Sequence, residues 1–182
     1  MQVSEKNKAS VGARGRGPSS APDEVGQEGA VELAVDRRKA YRSAPALAAR
    51  FLGALALLAV GAVHLQQYEY LYSAIPTIGT LFLLNFVGAT AIGLGLLAPV
   101  ERLLGRFGGA AVGLLALGGA AQGATAFVFL LVAERTPLFG FQEPGYDPPA
   151  LMASRVAELV TVALLGSFLV ARLVSRSSAA RW

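Results

Sequence analysis

The sequence predicts an all-α fold, an integral membrane four-helix bundle with a disordered N-terminal tail, and three observations lead there. Apolar residues make up 54% of the 182 residues and mean hydropathy is +0.51, outside the range of an ordinary soluble domain. Four apolar runs, at about 46–66, 77–98, 107–133 and 150–171, each reach the length needed to cross a membrane. A hydrocarbon core about 30 Å thick takes roughly 20 helical residues. None of the runs alternates apolar with polar residues as the strands of a membrane barrel do.

Residues 1–45 form a separate region. The stretch SVGARGRGPSSAPDEVGQEG has no aromatic residue and mixes small residues with charge, so it is expected to stay disordered. Arg37, Arg38, Lys39, Arg42 and Arg50 then form a juxtamembrane patch suited to anionic headgroups and to holding this terminus in the cytoplasm. The first span follows. Its apolar run exceeds the 7–15 residues of a signal-peptide core, so it is expected to be retained rather than cleaved.

The link HLQQYEYLYSAIPT carries no Lys or Arg, and its tyrosines read as an interfacial belt. Pro76-Thr77 opens the second span, since proline suits a first helical turn, and Pro99 closes it. The link APVERLLGRF brings Arg102 and Arg106. The third span holds two Gly-x-x-x-Gly pairs, Gly109–Gly113 and Gly119–Gly123, of the kind that let helices approach closely. The link ERTPLFGFQEPGYDPP sets Arg135 against Glu134, Glu143 and Asp147, and reads as a connector anchored in the aromatic belt rather than a cover. Asp147-Pro148 opens the fourth span as N-cap and first helical residue. The C-terminal tail ends with Arg172, Arg176 and Arg181.

Basic residues therefore alternate rich, poor, rich, poor, rich from the N-terminus onward. That pattern puts both termini and the second link in the cytoplasm of a multi-pass plasma-membrane protein. Tyr68, Tyr70, Tyr72, Phe139, Phe141 and Tyr146 then fall on the outer side.

The few polar residues inside the spans are the candidates for function. Were Glu158 outside, residues 159–171 would extend only about 20 Å at 1.5 Å per residue, too short to cross. Glu158 is therefore embedded, with Arg155 near the outer boundary. His64 lies roughly 21 Å along its helix from Arg50, Asn85 about two turns from Pro76, and Gln122 near the middle of its span. His64 shares a helical stripe with Gly53, Leu57 and Gly61, Asn85 with Gly88, Ile92 and Gly95, and Gln122 with Gly118 and Thr125. These stripes point the polar groups into the bundle.

Two readings stand for the titratable ones. Arg155 and Glu158, three residues apart, either neutralise one another on one helix or leave Glu158 free to bind. His64 is either a structural hydrogen-bond partner or a proton relay with Glu158 or Glu69. As an axial haem ligand it lacks a second strong ligand. Asn85 and Gln122 are expected to hydrogen-bond between helices. The tentative binding set is His64, Glu69, Asn85, Gln122, Arg155 and Glu158.

The segment H-L-Q-Q-Y-E-Y-L-Y-S-A-I-P-T-I-G-T-L-F-L-L-N, His64 to Asn85, resembles a family of small uncharacterised four-span membrane proteins of high-GC Gram-positive bacteria. The likeness rests on His64, Tyr72, Ile75 to Gly79 and Leu81 to Asn85. It implies the span layout and no activity.

No cysteine is present, which removes thiol nucleophiles and thiolate metal sites, and with one histidine no metal set or catalytic constellation is recognisable. A net charge of +4 is a topology signal rather than a nucleic-acid footprint. No cofactor is specified. The expected partners are the lipid bilayer and a homo-oligomer or membrane complex. The function expected is a non-enzymatic accessory or scaffold subunit. The alternative is a small-molecule or proton-coupled binding or transport protein with an outer-leaflet polar pocket.

Overall fold

The computed structural model describes residues 23–145 and 147–179, with side chains from residue 44 to 178, and divides into units Met1–Ala40 and Tyr41–Trp182. Residues 1–22, the side chains of Arg37, Arg38, Lys39 and Arg42, Tyr146 and Arg181 lie outside that description. Helix α1 runs Asp23–Tyr70, a 3-10 turn follows at Tyr72–Ala74, and α2 spans Pro76–Leu97. The short α3 (Val100–Leu103) and a second 3-10 turn (Gly105–Phe107) lead into α4 (Gly108–Ala133), and α5 covers Pro148–Ala179. The backbone is thus helical from Asp23, where composition predicts disorder. Its many Ala, Glu, Leu, Arg and Lys residues favour a helix whose backbone bonds close locally, with no core required.

Four stretches are long and apolar enough to cross a membrane: Ala44–Tyr70, Pro76–Leu97, Gly105–Ala133 and Pro148–Ser178. They match the four expected spans, the second within one residue at each end and the others extended by up to about two turns. The expected punctuation is also in place. Pro76 sits in the first turn of α2, Ala98 and Pro99 end it, and Asp147 Oδ1 accepts the Ala150 N–H at 3.1 Å as the N-cap of α5.

Each helix buries one narrow seam and leaves the rest of its apolar surface outward. On α5 the buried positions are Ser154, Glu158, Thr161, Leu165 and Phe168, a spacing of three and four that repeats like a heptad. Val112, Ala116, Gly119 and Gly123 form the matching seam on α4. Gly119 shows why small residues are there. A Cβ at that position would stand 2.8 Å from Leu165 Cδ1 and 2.9 Å from Leu57 Cδ2, closer than such atoms approach. Leu84, Leu114, Val156 and Val170 are more than half exposed, as lipid-facing positions on four-helix bundles are. α1 meets α2 where Gly61 approaches Ala89, and meets α5 where Gly53 approaches Leu165.

One end of the bundle is tied by arginines. Arg50 Nε donates to Leu96 O at 2.7 Å, its Nη2 donates to Ala98 O at 3.0 Å, and its Nη1 pairs with Glu101. Arg50 is 6% exposed, so it does not belong to a headgroup-facing patch as its place in the sequence implied. The last carbonyls of α2 have no partner within their own helix, and a cation there satisfies them and the helix dipole together. Arg172 Nη2 likewise donates to Gly109 O at 2.7 Å, linking α5 to the start of α4.

Candidate functional site

At the opposite end the four helices part around a cavity of about 120 Å³. Its walls come from α1, α2, α4, α5, the Tyr72 turn and the loop between α4 and α5. Most are apolar, with Phe82, Phe129 and Leu151 prominent, and a few polar groups converge among them. That combination is the usual anatomy of a small-molecule site.

Glu158 is the most constrained group. It is 1% exposed, on the buried seam of α5 and on the cavity wall. Oε1 accepts the Ser154 hydroxyl at 2.7 Å, one turn earlier on the same helix. Oε2 is buried with no hydrogen-bond partner. Either protonation state leaves it short: a carboxylate lacks a donor there, and an acid lacks an acceptor. Such a group inside a membrane is costly and marks a functional position by default.

The anticipated pairing within α5 is not made. Arg155 instead gives its Nη2 to Glu134 at the end of α4, and it does not line the cavity. A residue three positions along sits only partly on the same face, and Glu134 offers Arg155 a carboxylate nearer the helix ends.

His64 is 8% exposed and also lines the cavity, its ring 5.0 Å from that of Phe82. Its Nδ1 donates to Val60 O at 2.8 Å, one turn back. A carbonyl accepts only, so Nδ1 carries the proton and Nε2 of the neutral ring keeps its lone pair. Asn85 also lines the cavity, and the expected bond between helices is present: Gln122 Nε2 donates to Asn85 Oδ1 at 2.8 Å and to Asn85 O at 2.7 Å. Gln122 thus stands behind Asn85 rather than at the cavity. Glu69 is exposed at the end of α1 and outside the lining.

The structure therefore brings together His64, Asn85 and Glu158 from the expected set. It adds Gln67, Tyr72, Glu143, Asp147 and Ser154, which sequence reasoning left out. Tyr72 is not a belt residue. It is 3% exposed and stacks on Phe82 at 4.5 Å with an interplanar angle of 18°, while Phe141 meets it edge-on at 5.6 Å. Its hydroxyl donates to Glu143. Gly79 lets the turn sit this close to α2, since a Cβ there would lie 2.6 Å from the Tyr72 carbonyl oxygen.

The α4–α5 loop is correspondingly a cover and not a plain connector. Glu143 is 8% exposed, its N–H donates to Ala133 O at 2.9 Å, and its Oε1 accepts the Gly145 N–H at 2.8 Å. Asp147 Oδ2 accepts from Gln67 Nε2 at 2.9 Å, fastening the loop to α1. A turn closed by bonds between Leu138 and Phe141 folds two more apolar side chains onto the cavity. Among the described residues no group of three or more His, Asp or Glu side chains stands together as metal ligands do. No protein-family model, curated protein or solved structure matches this chain.

Proposed function

We propose that this multi-pass membrane protein binds a small, mostly apolar molecule in the cavity, with Glu158 holding its polar end. The single observation that carries the reading is Glu158 Oε2, a buried oxygen without a partner on the wall of a ring-sized space. A bundle evolved only for packing gains nothing from an embedded carboxylate beside a void. Both features destabilise, and a ligand with a hydrogen-bond donor removes both at once. The charge pattern of the links supports placing the cavity in the outer leaflet, with the loop 134–147 as its outer cover.

The size supports a single ring or short chain as the bound part. A dry engineered cavity of about 150 Å³ in another protein takes up benzene. Ala126 lines the cavity, so Ala126→Phe should fill it without adding a polar group. Benzyl alcohol at saturating concentration is expected to raise the Tm of the detergent-solubilised wild type and leave that of Ala126→Phe unchanged, because a ligand stabilises only the state that binds it. Equal shifts in the two proteins would place the effect in the micelle and overturn the reading.

A second reading, the accessory subunit, draws on one other observation. Nothing lies within 4 Å of a Cβ built on Gly113, so α4 is open to a partner helix at that position, although Arg172 covers Gly109 one turn earlier. Under that reading Gly113→Leu converts a stable oligomer or complex into monomer by light scattering. An unchanged mass removes it.

A further inference from the structure

We infer that the cavity selects an organic cation, a protonated primary or secondary amine carried on a ring-sized apolar body. The inference rests on the cavity being a binding site and adds the charge of its occupant. Three of the described lining residues are carboxylic acids, Glu143, Asp147 and Glu158, and none is Lys or Arg. Two of the three have donors on their oxygens. Asp147 accepts from Gln67 at 2.9 Å and from the Ala150 N–H at 3.1 Å. Glu143 accepts from the Tyr72 hydroxyl and, at 2.8 Å, from the Gly145 N–H. Glu158 has only Ser154, on one oxygen. The cation nearest in sequence, Arg155, is committed to Glu134.

His64 is an acceptor too. With Nδ1–H given to Val60 O at 2.8 Å, the neutral His64 ring offers the Nε2 lone pair. Asn85 Oδ1 already receives Gln122 Nε2 at 2.8 Å, which leaves its amide NH2 as a donor on the wall. Four aromatic rings, Tyr72, Phe82, Phe129 and Phe141, complete the wall, and ring faces attract cations. An ammonium N–H supplies Glu158 Oε2 with its missing donor and brings a positive charge into direct contact, which Arg155, paired with Glu134, does not. A neutral alcohol supplies the donor alone. An anion meets three acidic side chains and no lysine or arginine among the described lining.

Three probes with the same ring separate these cases: benzylammonium, benzyl alcohol and benzoate, titrated against the full chain in nanodiscs of uncharged lipid. Benzylammonium is expected to bind at least tenfold more tightly than benzyl alcohol, and benzoate most weakly. Glu158→Gln should bring benzylammonium down to the level of the alcohol while leaving the alcohol's own affinity within a fewfold. Equal affinities for benzylammonium and benzyl alcohol, tighter benzoate, or a cation preference that survives Glu158→Gln would overturn the cation assignment and leave the cavity a binding site. Binding of none of the three would overturn both. Should Glu158→Gln not fold, the charge series on the wild type decides alone.

Discussion

Arg50 and Glu158 are both ionisable, buried residues on spanning helices, and their surroundings make them opposites. The Arg50 guanidinium meets two carbonyls at the end of α2 and the carboxylate of Glu101, so its donors and its charge are answered. Arg50→Ala is expected to cost about 3 kcal/mol or more in a denaturant titration, since it strips a buried cap and leaves carbonyls bare. Arg50→Lys should recover only part, because one ammonium cannot reproduce the planar fork. Glu158→Gln has the reverse sign. It keeps an acceptor for Ser154 and removes a buried ionisable group, so the ligand-free protein should be as stable as wild type or more so by thermal unfolding. Sequence reasoning found Glu158 because helix length alone forces it into the membrane. It misassigned Arg50 because position along α1 reveals depth but not what another helix end places opposite.

The helices were legible because their signals are local. Run length, prolines at both ends of α2 and the Asp147 cap each act within a turn or two, and the structure keeps all of them. Small residues at helical spacing located the inward face of α1, with Leu57 and His64 on one buried line. On α4, however, the buried line is Ala116, Gly119 and Gly123 rather than the expected Gly118, Gln122 and Thr125, the last of which is exposed. The loop was not legible, because no periodicity constrains the path of a Pro- and Gly-rich segment. Tyr72, Glu143 and Asp147 join the site only through bonds across long sequence separations. Two predictions belong at this scale. Gly119→Ala should lower the Tm by several degrees, since its Cβ would press on Leu165 and Leu57, whereas Gly113→Ala, with open space around it, should leave the Tm unchanged or raise it slightly. Tyr72→Phe removes the hydroxyl that reaches Glu143, so residues 134–147 should exchange amide hydrogens faster while the spans do not.

For the whole molecule, arginines fasten one end and a capped cavity occupies the other. The links between the spans carry the charge asymmetry that orients such a bundle. Because the chain has no cysteine, single cysteines report its orientation without background. Phe139→Cys, at an exposed loop position, should react with a membrane-impermeant thiol reagent on intact cells, and Arg106→Cys only after permeabilisation. The reverse pattern would turn the molecule over and place the cavity in the inner leaflet. The central claim is that the space around Glu158 exists to be occupied. Native mass spectrometry of gently purified full-length protein tests it most directly, by comparing wild type with Ala126→Phe. The wild type should carry a small additional mass that Ala126→Phe, folded and otherwise intact, lacks. An identical spectrum from both proteins, bare or equally loaded, would contradict the claim.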